Sequence, residues 1–278
     1  MTPATNQQKI RAIATDLDGT LLTTAHTITP RTERALKQAM QQGVKVIIAT
    51  GKTAASRELP VRQLGLTTPG VYSQGLVLIN ADGTIRYQRD MEPAAAHAAI
   101  AFAEDECGCN VVVVLEAGTR IITNSLSTLT QFMTDHHEQL PTVVPSLREA
   151  IKGVPVTKLI IERDPAYIEQ TRAALAQRLN NAAELVLSMP QLLEILPPGA
   201  SKGDGLRRLL ADLDIDPVHV LALGDGENDI EMLQMVGIGV AMGNANERVK
   251  AATDHITASN DEDGVGLAVE KYILAGSN

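Results

Sequence analysis

Apolar positions in this chain fall into short runs separated by stretches with helical spacing, and this rhythm occurs near both ends. Ile10–Leu17 reads as a strand. Thr29-Pro30 supplies a cap and a first-turn proline for a helix that stops at Gly43. Val44–Ala49, broken only by Lys45, is the kind of run expected of a strand covered on both faces. Thr53–Leu64 reads as a helix that Pro60 must kink or interrupt, and Val71–Ile79 as a third strand disturbed at Gln74-Gly75. Later, Leu206, Leu209, Leu210 and Leu213 mark a core-facing helix stripe. Val218–Leu223 is again a buried-type strand, followed by helix Glu227–Val236, strand Ile238–Met242 and helices Asn246–Thr253 and Val265–Leu274. Strands alternating with helices predict a parallel sheet with right-handed crossovers.

Between these halves the pattern changes. Asp82-Gly83 is a hairpin signal between Leu76–Ile79 and Thr84–Tyr87. Helical stretches at Pro93–Glu106 and Pro165–Asn180 are each followed by two short apolar segments: Val111–Leu115 with Arg120–Thr123, then Leu185–Leu187 with Leu192–Leu196. This twice-repeated order predicts an inserted α+β domain with an open sheet. The expected division is a core of residues 1–82 and 196–278 and a cap of residues 83–195. Hinges are expected near Asn80–Gly83 and Pro197–Gly199.

Of 278 residues, 44% are hydrophobic, enough for two domains of ordinary size. No apolar stretch approaches the roughly 20 residues of a membrane helix. Met1 to Gln8 is polar, lacks the apolar segment of a signal peptide and reads as a frayed tail, which points to the cytoplasm. The net charge of −9 and an aromatic content of 2% argue against a nucleic-acid surface. An anionic substrate would therefore need local positive groups. Cys107 and Cys109, one residue apart, suit neither a usual zinc site nor a structural bridge and are expected as reduced thiols.

Candidate chemistry begins at Asp16-Leu17-Asp18-Gly19-Thr20. Residues i and i+2 of a strand share a face, so both carboxylates can address one point. Two like charges at the end of a central strand need a cation or a proton between them, which suggests a Mg²⁺ site with a carboxylate nucleophile. Asp-x-Asp-Gly also occurs in ordinary turns and loose calcium loops. In an open parallel sheet, ligands bind beyond the carboxyl ends of strands where strand order reverses. If the chain builds outwards and then crosses back, the strand ending at Asp225 lies beside the one ending at Asp16.

Asp16-Leu17-Asp18-Gly19-Thr20-Leu21, Ala49-Thr50-Gly51-Lys52, Ser201-Lys202-Gly203 and Gly224-Asp225-Gly226-Glu227-Asn228-Asp229, in this order, resemble the motifs of the haloacid dehalogenase superfamily, specifically its Cof-type phosphatases with a large α/β cap. Gly239–Ala245 resembles the segment after the family's acidic motif. The resemblance covers essentially the whole chain. It implies a Rossmann-like, doubly wound core, an inserted cap, and Mg²⁺-dependent phosphate transfer through an aspartyl intermediate. By resemblance, Asp16 is the nucleophile and Asp18 the general acid and base. Asp16, Asp225 and the Asp18 backbone carbonyl would hold Mg²⁺, with Asp229 behind them. Thr50 and Lys202 would clamp the phosphate, and Gly51, Lys52 and Asn228 lie in the same motifs.

Asn228 stands either as a phosphate donor or as a helix cap, and Asn244 either braces the acidic loop or caps the next helix. The six histidines form no ligand set, and surface roles are expected for His26, His97, His136 and His137. Asp261-Glu262-Asp263 reads as a solvated loop, near the site rim by resemblance. Glu194 and Ser188 are candidate cap contacts to the leaving group. Two positions depart from the family pattern: Lys52 where arginine is common, and Gln74 where asparagine precedes the glycine. Lysine lacks arginine's planar two-pronged grip on phosphate.

The expected activity is hydrolysis of small phosphorylated metabolites, sugar phosphates first, by a monomer or weak dimer. The alternatives are a phosphotransferase or mutase with the same nucleophile, and a receiver-like module phosphorylated without turnover. A nicotinamide-binding fold ranks below these, because no Gly-x-Gly-x-x-Gly follows the first strand.

Overall fold

A computed structural model describes residues 9–135 and 139–275. The tail before residue 9 and His136-His137 lie outside the described residues.

The chain enters through β1 (Ala12–Thr15), α1 (Pro30–Gln41), β2 (Lys45–Ile48), α2 (Glu58–Leu64), β3 (Gly70–Tyr72), β4 (Val77–Ile79) and β5 (Ile85–Gln88). It continues through α3 (Pro93–Phe102), β6 (Asn110–Leu115), β7 (Arg120–Thr123), α4 (Thr128–Asp135), β8 (Thr142–Val143), α5 (Leu147–Ala150), β9 (Val156–Glu162), α6 (Pro165–Leu179), β10 (Glu184–Met189) and β11 (Leu192–Leu196). It ends with α7 (Lys202–Asp212), β12 (Val220–Gly224), α8 (Ile230–Gln234), β13 (Ile238–Ala241), α9 (Glu247–Ala251), β14 (His255–Ile256) and α10 (Gly264–Val269).

The core sheet has the order β14-β13-β12-β1-β2 and is parallel throughout. All residues of β1 and β12 are buried, because apolar clusters cover both sheet faces. Beyond β2, a single parallel bridge from Ala49 to Val71 adds β3. Strand order therefore reverses between β1 and β12, and the register Thr15↔Leu223 puts their carboxyl ends side by side.

Local chemistry sets the elements that reach the site. Thr29 accepts the Thr32 amide and Pro30 opens α1. Ser201 accepts the Asp204 amide to start α7, which buries Leu206, Leu209 and Leu210. Instead of one helix over Thr53–Leu64, a 3₁₀ turn at Ala54–Arg57 precedes α2. Pro60 has no N–H for the carbonyl of Ser56, so the α-helical register restarts at Glu58 with the proline in its first turn.

The expected single strand over Val71–Ile79 is also corrected. Ser73 and Gln74 take φ of 50° and 57°, and β3 folds back on β4 as an antiparallel pair. β4 then pairs with β5 across the Asp82-Gly83 turn.

The cap sheet has the order β10-β11-β9-β6-β7-β8. Helices α3 and α6 pack on one of its faces around Ile100, Leu159, Ile161 and Leu175. Its other face, with Val112, Leu129, Met133 and Leu192, turns towards the core site. The two helix-strand-strand units expected from the sequence supply β6 with β7 and β10 with β11. β9, which the sequence reading left unassigned, pairs with β6 and β11 at the centre. Tyr87 packs in the core and Met91 in the cap, so we propose that the chain crosses at residues 89–90 and returns at 197–199. On this proposal β5, which the expected division put in the cap, belongs with the core, where it pairs with β4. Cys107 and Cys109, expected as reduced thiols, lie against each other across Gly108 with their Cα atoms 5.1 Å apart.

Candidate active site

Asp16 follows the last residue of β1, and its amide donates to the carbonyl of Leu223 in β12 at 3.1 Å. That bond fixes the two strand ends at which the acidic residues gather. Asp16, Asp225 and Asp229 each offer an oxygen within 4.8 Å of the others. Asp229 is fully buried and its Oδ2 accepts the amides of Asp225 and Gly226 at 3.0 and 2.9 Å, shaping the loop after β12. Thr20 donates to Asp225 Oδ1 at 2.7 Å. Gly19 has φ +69°, and a Cβ there would lie 2.3 Å from Asp225 Oδ2, so only glycine allows this approach.

Lys202, at the first turn of α7, is 1% exposed and bridges the cluster. Its Nζ lies 2.9 Å from Asp16 Oδ1 and 2.8 Å from Asp229 Oδ1. Burial pulls this ammonium down, but Asp16 and Asp229 outweigh burial and hold it above the usual lysine range. Burial pushes Asp16 up to about 8, opposed by Lys202 and reinforced by Asp229 and Asp225. Burial also raises Asp225 to about 6, against the Thr20 hydrogen bond. Three crowded, partly desolvated carboxylates with one ammonium fit a divalent cation held through oxygen ligands.

This arrangement sets a pH dependence. An unfolded aspartate releases its proton near 3.8, whereas folded Asp16 and Asp225 hold theirs to about 8 and 6. Between these values the folded chain binds more protons than the unfolded one, so its stability without metal falls as pH rises. A cation that binds the ionised cluster reverses the loss. Mg²⁺ should therefore raise the melting temperature more at pH 8 than at pH 5.5. An equal shift at both values, or none, would refute a proton-competing cation site here.

Thr50 follows β2, is 2% exposed, and its Oγ1 accepts the Lys52 amide at 3.2 Å. Lys52 Nζ lies 2.9 Å from Asp18 Oδ1, so the lysine at the departure position meets the second carboxylate of the first motif. The Asp18 carboxylate is not one of the three that cluster. Asn228 Nδ2 donates to Gln74 Oε1 at 3.2 Å, and a Cβ on Gly51 would lie 2.5 Å from Gln74 Nε2. Gln74 sits in the left-handed region, which a short polar side chain such as asparagine tolerates better than glutamine. Asn244 braces the acidic loop, donating to the Gly19 carbonyl at 2.8 Å, while Asn246 caps α9.

All of these motifs except Asp225 and Asp229 line one cavity of about 620 Å³ beneath the cap. Its roof carries Val114, Ile160, Leu192, Ser188, Glu194 and Lys158. Asp261 lies at its edge and accepts the Thr24 amide at 2.9 Å. Among the lining residues that sequence reasoning missed, two carry ionisable side chains. His26, read as a surface histidine, has Nδ1 3.8 Å from Asp18 Oδ1. Lys158 stands in the unassigned β9. A lysine within the apolar run Val156–Ile161 was the signal available for it.

The fold and the acidic crevice define a phosphoryl-transfer enzyme of the α/β class with an inserted cap. Residues 13–269 match the model of the haloacid dehalogenase-like hydrolases, and the chain belongs to this family as a Cof-type phosphatase. A chloroplastic protein of Arabidopsis thaliana named endoribonuclease YBEY is 32% identical over 95% of this chain, but the chain spans only 47% of that protein. The 5-amino-6-(5-phospho-D-ribitylamino)uracil phosphatase YitU of Bacillus subtilis is 29% identical, with 94% of this chain and 96% of the relative covered. Among solved structures, a sugar phosphatase of subclass IIB aligns with a TM-score of 0.82 at 26% identity, covering 94% of this chain and 98% of its own. Among the described residues no helix is long and apolar enough to cross a membrane.

Proposed function

We propose that this protein is a cytoplasmic, Mg²⁺-dependent phosphomonoesterase of small phosphorylated metabolites that works through an aspartyl phosphate on Asp16. The observation that supports this most is the Asp16 carboxylate at the tip of β1. It is joined to Lys202, grouped with Asp225 and Asp229, and faces the capped cavity. Asp16, Asp225, Asp229 and the Asp18 carbonyl are the residues that would hold Mg²⁺, which when bound offsets their charge and that of the phosphoryl oxygens.

A carboxylate oxygen of Asp16 bonds to phosphorus as the bond to the leaving oxygen breaks, and Asp18 gives that oxygen a proton. Water then attacks the same phosphorus, Asp18 takes its proton, and inorganic phosphate leaves with Asp16 restored. Lys202 and the Thr50 hydroxyl meet the charge that develops on the phosphoryl oxygens. Lys52 moves from Asp18 to the incoming phosphate, which releases Asp18 for proton transfer. Gly51 and Asn228 complete the phosphate surround.

Sugar and polyol phosphates lead as substrates, because one similar structure is named a sugar phosphatase and one relative is named for a ribitylamino phosphate. Hydrolysis should yield one inorganic phosphate per ester consumed from a panel of hexose, pentose and polyol phosphates. With an alcohol or sugar acceptor added, no phosphorylated acceptor should accumulate. Stoichiometric transfer to the acceptor would make the protein a phosphotransferase instead.

A further inference from the structure

The cap carries one buried ion pair on the face turned towards the cavity. Lys158 Nζ and Glu194 Oε2 are 2.7 Å apart, with side chains 4% and 7% exposed. Lys158 lies on β9 and Glu194 on β11, whose register pairs Glu194 with Ile160. Both neighbours on this face, Val114 and Ile160, are apolar, so packing alone would be served as well by a hydrophobic pair. Lys158 also leaves its own domain: Nζ donates to the Gly51 carbonyl at 3.1 Å. The other end of that peptide unit, the Lys52 amide, donates to Thr50 Oγ1 at 3.2 Å. With that oxygen accepting, its O–H has no acceptor among the described residues and is left to donate towards the cavity.

We infer that Lys158 is a positioning residue: held by Glu194, it orients the Gly51–Lys52 peptide and thereby fixes the Thr50 hydroxyl as a phosphate donor only when the cap is seated. The inference rests on the phosphatase reading above. The chain Glu194–Lys158–peptide–Thr50 is charge-assisted at its cap end, and each link polarises the next. It makes alignment of a core group conditional on the position of a cap strand, whatever leaving group is bound.

A double-mutant cycle tests this. The paired change Lys158→Met with Glu194→Gln leaves no lone buried charge, and a cooperative melting transition verifies its fold. With p-nitrophenyl phosphate and with a hexose 6-phosphate, the paired change should lower kcat by roughly 10- to 100-fold, to the same extent for both esters. In a Thr50→Val background the same change should cost less than about threefold, because the group through which Lys158 acts is already gone. Glu194→Gln alone should give a smaller loss with the same insensitivity to leaving group. Losses that multiply across the two backgrounds would overturn the inference, as would a loss confined to the sugar ester. The wild-type protein's failure to release phosphate from either ester would instead overturn the phosphatase reading.

Discussion

Asp16→Asn abolishes phosphate release while leaving the chain folded. The amide cannot form an acyl phosphate, and nucleophile removal in enzymes that use covalent intermediates costs at least about 10⁴-fold in turnover. The fold should tolerate the change well. Burial raises Asp16 to about 8 before any cation binds, so neutral asparagine resembles the form the metal-free site already favours near neutrality. At pH 8 without divalent ions, the variant should melt no lower than the native protein. Single-turnover phosphate release and a thermal melt check both statements, and near-native turnover would remove Asp16 from its role.

Lys202→Met strikes both activity and stability. The lysine is 1% exposed and is the ammonium bonded to Asp16 and Asp229, which sit in a pocket that water barely reaches. Removing one member of a buried ion pair typically costs 3–5 kcal/mol, roughly, because the remaining charges lose their partner. The expected outcome is a loss of about that size in denaturant titration without added cation, partly restored by Mg²⁺. The phosphoryl oxygens also lose a positive group, so kcat should fall by roughly 10²–10³-fold. A variant as stable and as active as the native chain would show that Lys202 is not the charge on which the cluster depends.

How much was legible in the sequence depended on the distance over which each feature is encoded. Asp16 with Asp18, and the glycine after them, follow from a two-residue strand period and a turn. The placement of β12 beside β1 followed from the alternation of elements and the rule that strand order reverses once. The β3–β4 reversal was invisible because it uses only Ser73, Gln74 and Gly75 within an otherwise apolar run, two of them in a conformation their residue types rarely choose. β9 escaped because Lys158 interrupts its apolar pattern. The partner that neutralises Lys158 is Glu194, on another strand, and no local rule links the two. His26 was misjudged for a similar reason: a histidine in a polar loop looks solvated until the loop is seen to fold back against Asp18.

The pairing of β1 with β12 has a consequence for synthesis. On the ribosome, β1 emerges first, and its hydrogen-bonding edge stays bare until about two hundred more residues have been translated, roughly ten to forty seconds at ordinary elongation rates. Throughout that interval the unpaired edge of a strand that is fully buried in the finished sheet is open to pairing with other nascent chains. The cap, whose strands all lie in one continuous stretch, can be complete before the edge is covered. Chaperone demand should therefore concentrate on the amino-terminal third, and a ribosome-stalled chain ending before Val220 should be the most aggregation-prone intermediate.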